Sequence, residues 1–177
     1  MEFDNNDFTV MRDHVQKWLA DDGMFKKTVM DEHTNFHFIV NFPEGHIMDL
    51  VQPKGMNDRI VIGCMTQVSP EHTSAMEKLR NEKSEEMKDF SYEFRSEINR
   101  FNVDIEIAES DNVILHYVVQ DEIYSDGLTK HVLMGTIKKI FRAKLQGLWK
   151  INYKFGEFNN PNQNRLPEKP SQDTMYV

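Results

Sequence analysis

Near the start of the chain the apolar positions recur every three or four residues: Phe8, Met11, Val15 and Trp18, with Leu19 beside it. That stripe predicts a helix over residues 5–22, capped by Asn5 or Asn6 and ended by Gly23 in a left-handed C′ position. From residue 24 the period changes to two. "FKKTVMD" is a weak strand, and "NFHFIVNF" alternates with Phe36, Phe38, Val40 and Phe42 on one face. "HIMDLVQ" follows the turn "PEG", and "DRIVIGCMTQ" follows the loop "PKGMND". Connections this short join antiparallel strands.

A second helical period begins at "SPEH", with Ser69 as N-cap and Pro70 at the first helical position. It is expected to run to Phe101, because Met76, Leu79, Met87, Phe90, Phe94, Ile98 and Phe101 fall in an arc about 100° wide. Lys83 interrupts that arc, and "RNEKSEE" is where a break belongs. "VDIEIAE" and "NVILHYVVQDEIY" then form a hairpin across "SDN". A last helix over about residues 127–150 rests on Met134, Ile137, Phe141, Leu145 and Leu148, and "INYKFGEF" is an ambiguous extension. The tail "NNPNQNRLPEKPSQDTMYV" has three prolines and little apolar content. The expectation is one α+β domain over residues 1–158, followed by a disordered tail over 159–177. Its antiparallel sheet of five to six strands and three helices follow the order α-β-β-β-β-α-β-β-α, with the helices on one face.

Bulk properties narrow the class. The 177 residues are 39% hydrophobic and 28% charged, with a formal net charge of −8. That balance argues against nucleic-acid binding by the whole surface. Cys64 is the only cysteine, so no intrachain disulfide forms, which suits a reducing cytosol and a cytoplasmic location. No apolar run reaches the roughly 18 residues of a membrane span, and the acidic start "MEFDNNDF" is unlike a secretory signal.

The stretch "DEHTNFHFIVNFPEGH" concentrates imidazoles and carboxylates, and strand register decides what they can do. With "PEG" as a three-residue loop, Phe42 faces His46, Val40 faces Met48 and Phe38 faces Leu50, so apolar meets apolar. A two-residue "EG" turn would set Val40 against Asp49. In the favoured register His46 lies on the aromatic face, whereas His33 and His37 lie on the other. His33 and His37 are also about 13 Å apart at ~3.3 Å per residue, too far to share a zinc ion. A residual diagonal pairing of His37 with Asp49 stays open. Cys64 near a helix start, with His72 as a base, is a conceivable nucleophile, but its strand position favours a small buried side chain. His37, Asp49, Cys64 and His72 together make the alternative reading of a metal- or small-ligand-binding protein. No phosphate loop, dinucleotide fingerprint or metal motif is present, so no catalytic residue and no cofactor is assigned.

Residues 128–150 carry six Lys or Arg and no acid. Lys138, Lys139, Arg142 and Lys150 are placed on the face opposite the apolar stripe, a basic strip for an anionic partner. Four charges without interleaved aromatics do not specify nucleic acid. The long second helix matters more. About 30 residues at 1.5 Å each would span about 45 Å, against about 25–30 Å of strand beneath. Either the helix breaks near Lys83 and folds back, or a second chain covers Met76, Leu79, Met87, Phe90, Phe94, Ile98 and Phe101.

The order of elements, with "VQKWLADDG", "NFHFIVNFP" and "IVIGCMTQVSPEH", resembles the type III secretion chaperone-like fold and, within it, an archaeal family of unknown function. The resemblance covers roughly residues 5–152. It implies an acidic homodimer that holds a protein segment without using ATP. Four strands precede the long helix here rather than three, so the partner grooves of that group do not carry over directly. The functional expectation is a homodimeric protein-binding or adaptor module.

Overall fold

The computed structural model describes residues 8–156. The tail at 159–177 and the capping residues Asn5 and Asn6 lie outside the described residues.

Helix α1, Phe8–Asp21, buries Met11, Val15 and Leu19, the stripe read from the sequence. Its end is a Schellman motif. Gly23, at φ 68°, donates its N–H to Ala20 O at 3.0 Å, and Met24 donates to Leu19 O at 2.8 Å. Strands β1 (Phe25–Val29), β2 (Thr34–Asn41), β3 (Ile47–Pro53) and β4 (Arg59–Gln67) form an antiparallel meander. Strand β5, Asp104–Ser110, joins β6, Val113–Tyr124, through a tight turn in which Asp111 and Asn112 take φ 48° and 65°. Strand β6 pairs with β4, so the six-stranded sheet has the order β1-β2-β3-β4-β6-β5.

The hairpin register is the one favoured by apolar matching. Phe38 faces Leu50, Val40 faces Met48, and Phe42 donates its N–H to His46 O at 2.9 Å.

The expected single second helix is two helices, which makes four rather than three among the described residues. Helix α2 covers Pro70–Glu82 and α3 covers Ser84–Asn99, with Lys83 between them at φ −147°, ψ 70°. Ser69 caps α2, accepting from His72 N–H. At 13 and 16 residues the two pieces span about 20 and 24 Å, within the length of the strands. The length mismatch is resolved inside the chain. Helix α4, Lys130–Phe155, is capped by Thr129 and takes in residues 151–155 of the ambiguous extension. Among the described residues no helix is long and apolar enough to cross a membrane.

One cluster joins the buried side chains of all four helices with Phe36, Phe38, Val40, Met48, Leu50, Ile60, Ile62, Tyr117 and Val119. The helices therefore share one face of the sheet. Tyr117 is its largest fully buried member. Its ring meets Phe94 edge-on at 5.2 Å, and its hydroxyl donates to Lys144 O at 2.9 Å. This close approach needs Gly147. A Cβ there would lie 2.7 Å from Tyr117 Oη and 2.8 Å from Cζ. Gly147→Ala is expected to lower unfolding stability by about 1–3 kcal/mol through overpacking, read from denaturant midpoints. An unchanged midpoint would show that α4 can move off the sheet at no cost.

Candidate functional site

Strand alternation separates the four residues of the metal or small-ligand reading. His37 and Asp49 project from the face without helices, and the register brings them together: His37 Nε2 lies 2.6 Å from Asp49 Oδ1. Asp31 Oδ2 stands 3.7 Å from His37 Nδ1, which is buried without a hydrogen bond. The direct Nε2–Oδ1 contact leaves no space for an ion between those atoms. His33 lies in the turn before β2 and is exposed. Cys64 belongs to the covered core. Its burial pushes the thiol up to about 11, against the pull of the Lys144 charge and with a smaller push from Asp49. A thiol held in that state is a poor nucleophile. His72 is also buried. Its Nε2 meets Gly156 O at 3.0 Å and its Nδ1 meets Ser69 Oγ at 2.9 Å, so it ties the start of α2 to the end of α4. The structure does not gather the four into a site. Among the described residues no group of three or more His, Cys, Asp or Glu is placed to hold a metal ion.

The face without helices is not an open apolar surface either. Ile39, Val51, Val61 and Val118 lie outside the core cluster, yet each is 8% exposed or less. Longer polar side chains occupy the same face. Arg59 pairs with Asp58 and Glu122 and sits 4.6 Å from the Tyr124 ring centroid.

The apolar ridge proposed to meet a second chain is likewise spent within the fold. Met76, Met87, Phe90, Phe94 and Ile98 are buried in the chain's own core, and Leu79 and Phe101 pack against it half-buried. The break at Lys83 is the reason, because it brings both halves of the stripe back over the sheet.

The basic strip on α4 divides in two. Lys139 pairs with Asp121, and Lys150 lies 2.7 Å from Glu93 and 2.9 Å from Glu97. Both are flank residues that tie α4 to its surroundings. Lys138 and Arg142 are exposed, and among the described residues neither has an ion-pair partner. Trp149, 60% exposed, and Tyr153, 91% exposed, share their helix face. The steps 138, 142, 149 and 153 are four, seven and four residues, which keeps all four on one ridge. Charge alone marked this helix in the sequence, and the aromatics went unassigned. Extending the heptad step from Arg142 to Trp149 would have found them.

A family description, "Uncharacterized conserved protein (DUF2299)", matches residues 11–151. The chain belongs to the DUF2299 family. It is 42% identical to an uncharacterized protein from Methanothermobacter thermautotrophicus whose crystal structure superposes with a TM-score of 0.78, covering 82% of this chain and 99% of that one. YbjN from E. coli is 17% identical, with a TM-score of 0.41 over 79% of this chain and 87% of that one. No curated protein matches.

In this DUF2299 chain one buried group, Cys64, and one half-buried group, His46, make the site assignments testable. Cys64 is expected to resist a thiol-reactive disulfide reagent at pH 8 until denaturant is added, read from released chromophore. Rapid labelling of the native protein would restore the nucleophile reading. His46 packs against Phe141 at a ring separation of 5.0 Å, and burial, followed by the Lys144 charge, holds its pKa below the ordinary 6.5. The unfolded chain therefore takes up that proton first as pH falls through 6.5. The His46 contribution is complete above that pH and declines as pH drops toward the folded-state value. His46→Leu should flatten the fall in denaturation midpoint between pH 7.5 and 5.5. An equally steep fall in the variant would assign it to other groups.

Proposed function

We propose that this DUF2299 member is a non-catalytic protein-binding module that engages its partner through the outer ridge of α4. One observation carries the reading: Trp149 and Tyr153 stand 60% and 91% exposed on the same helix face as Lys138 and Arg142, which have no ion-pair partner among the described residues. Most other polar groups considered above have partners inside the fold. Trp, Tyr and Arg are the residues that most often dominate protein interfaces, because each offers a large rigid contact area with a polar tip. Two exposed cations on a chain of net charge −8 favour a polypeptide over the phosphates of a nucleic acid. The secretion-chaperone-like order of elements and the acidic balance support the adaptor reading as well.

Placing a photo-crosslinking amino acid at position 149, in cells that make the protein, tests this. The expected result is an adduct with a polypeptide that disappears when Arg142 is also changed to Glu. Adducts with nucleic acid alone, or none, would overturn the proposal.

A further inference from the structure

The same ridge has an internal symmetry that points to its partner. Lys138 and Tyr153 are equidistant from the midpoint between Leu145 and Gln146, and so are Arg142 and Trp149. A two-fold axis through that midpoint, perpendicular to α4, would place a second α4 antiparallel to the first. Each position then faces its mirror position: Arg142 meets Trp149 of the other copy, and Lys138 meets its Tyr153. Isologous contacts require this reciprocity, because residue i must meet j while j meets i. The paired chemistry is complementary as well. A guanidinium or ammonium set over an aromatic face is attracted to the ring quadrupole, and the axis generates four such pairs from two kinds.

Charge supports the antiparallel arrangement. With Arg142 about 3.5 residues from the midpoint, its symmetry mate lies roughly 10 Å away at 1.5 Å per residue, close to the Debye length of ~8–10 Å in physiological salt. A parallel pair would instead bring like cations into contact. Two bodies of net charge −8 repel, and α4 has no Asp or Glu, which makes it a favourable place for them to meet.

We infer that the α4 ridge is a self-association surface, pairing two copies of this chain antiparallel through reciprocal Arg142–Trp149 and Lys138–Tyr153 contacts. The inference rests on the binding-module reading and names its partner as a second copy. Contact through one helix face sits at the small end of stable interfaces, so the dimer should form in the micromolar range rather than at nanomolar concentration.

Sedimentation velocity of the full chain from about 1 to 200 µM tests it, over the range that a small interface implies. The expected result is a concentration-dependent shift from monomer to dimer. Trp149→Arg, which sets guanidinium against guanidinium, should weaken the dimer at least about tenfold, equivalent to about 1.4 kcal/mol. Adding Arg142→Trp to that variant restores the reciprocal pair and should recover most of the affinity. The substituted side chains are exposed, and circular dichroism of each variant checks the fold. A dimer indifferent to Trp149→Arg, or a double variant that stays dissociated, would overturn the assignment. A monomer at every concentration would overturn self-association. In that case a position-149 crosslink to a different polypeptide leaves the binding-module reading standing, and the absence of any crosslink removes both.

Discussion

An apolar stripe on a helix has to be covered, and the length of sheet available sets how much helix one chain can cover. Here the segment from Pro70 to Asn99 carries such a stripe along nearly its whole length. Unbroken, it would extend past the strands and expose side chains each worth roughly 1.5–3 kcal/mol when buried. Lys83 interrupts both the stripe and the helical backbone. The fold follows from that break. Helices α2 and α3 both return to the sheet, Phe94 reaches Tyr117, and α4 lies antiparallel to α3, tied by Lys150 to Glu93 and Glu97 and by Lys154 to Glu86.

With the stripe enclosed, the large hydrophobic side chains most exposed among the described residues are Met30, Tyr92, Trp149 and Tyr153. The valines and isoleucine on the far side of the sheet lie beneath a layer that includes the Arg59 and His37 pairs. Such pairs contribute little to stability on an exposed surface. The groups that looked most chemical are held inside the fold. Cys64 fills core space, and His72 joins two helix ends through both ring nitrogens. On the α4 ridge large aromatic and cationic side chains stand exposed, and among the described residues Lys138 and Arg142 have no ion-pair partner.

Elements set by local periodicity were legible in the residues. The α1 stripe, the two hairpins and the register placing Val40 opposite Met48 all follow from alternation and turn chemistry. The approach of His37 to Asp49 was legible for the same reason, since diagonal neighbours follow directly from register. The α4 ridge was half legible. The absence of acids marked the helix, but one-dimensional charge counting could not separate the flank lysines, which find carboxylates on α3 and β6, from Lys138 and Arg142, which find none among the described residues.

The sequence by itself determined the six strands, their pairing within hairpins and the α+β class, because each depends on neighbours a few residues away. The residues marked Lys83 as the place for a break, but only the tertiary structure decided that α2 and α3 part there and that their apolar residues serve this chain's own core. It also decided that Trp149 and Tyr153 stay in solvent. Those outcomes depend on which surface meets which over long sequence separations, and packing settles them once the sheet's length and the helices' positions are set together.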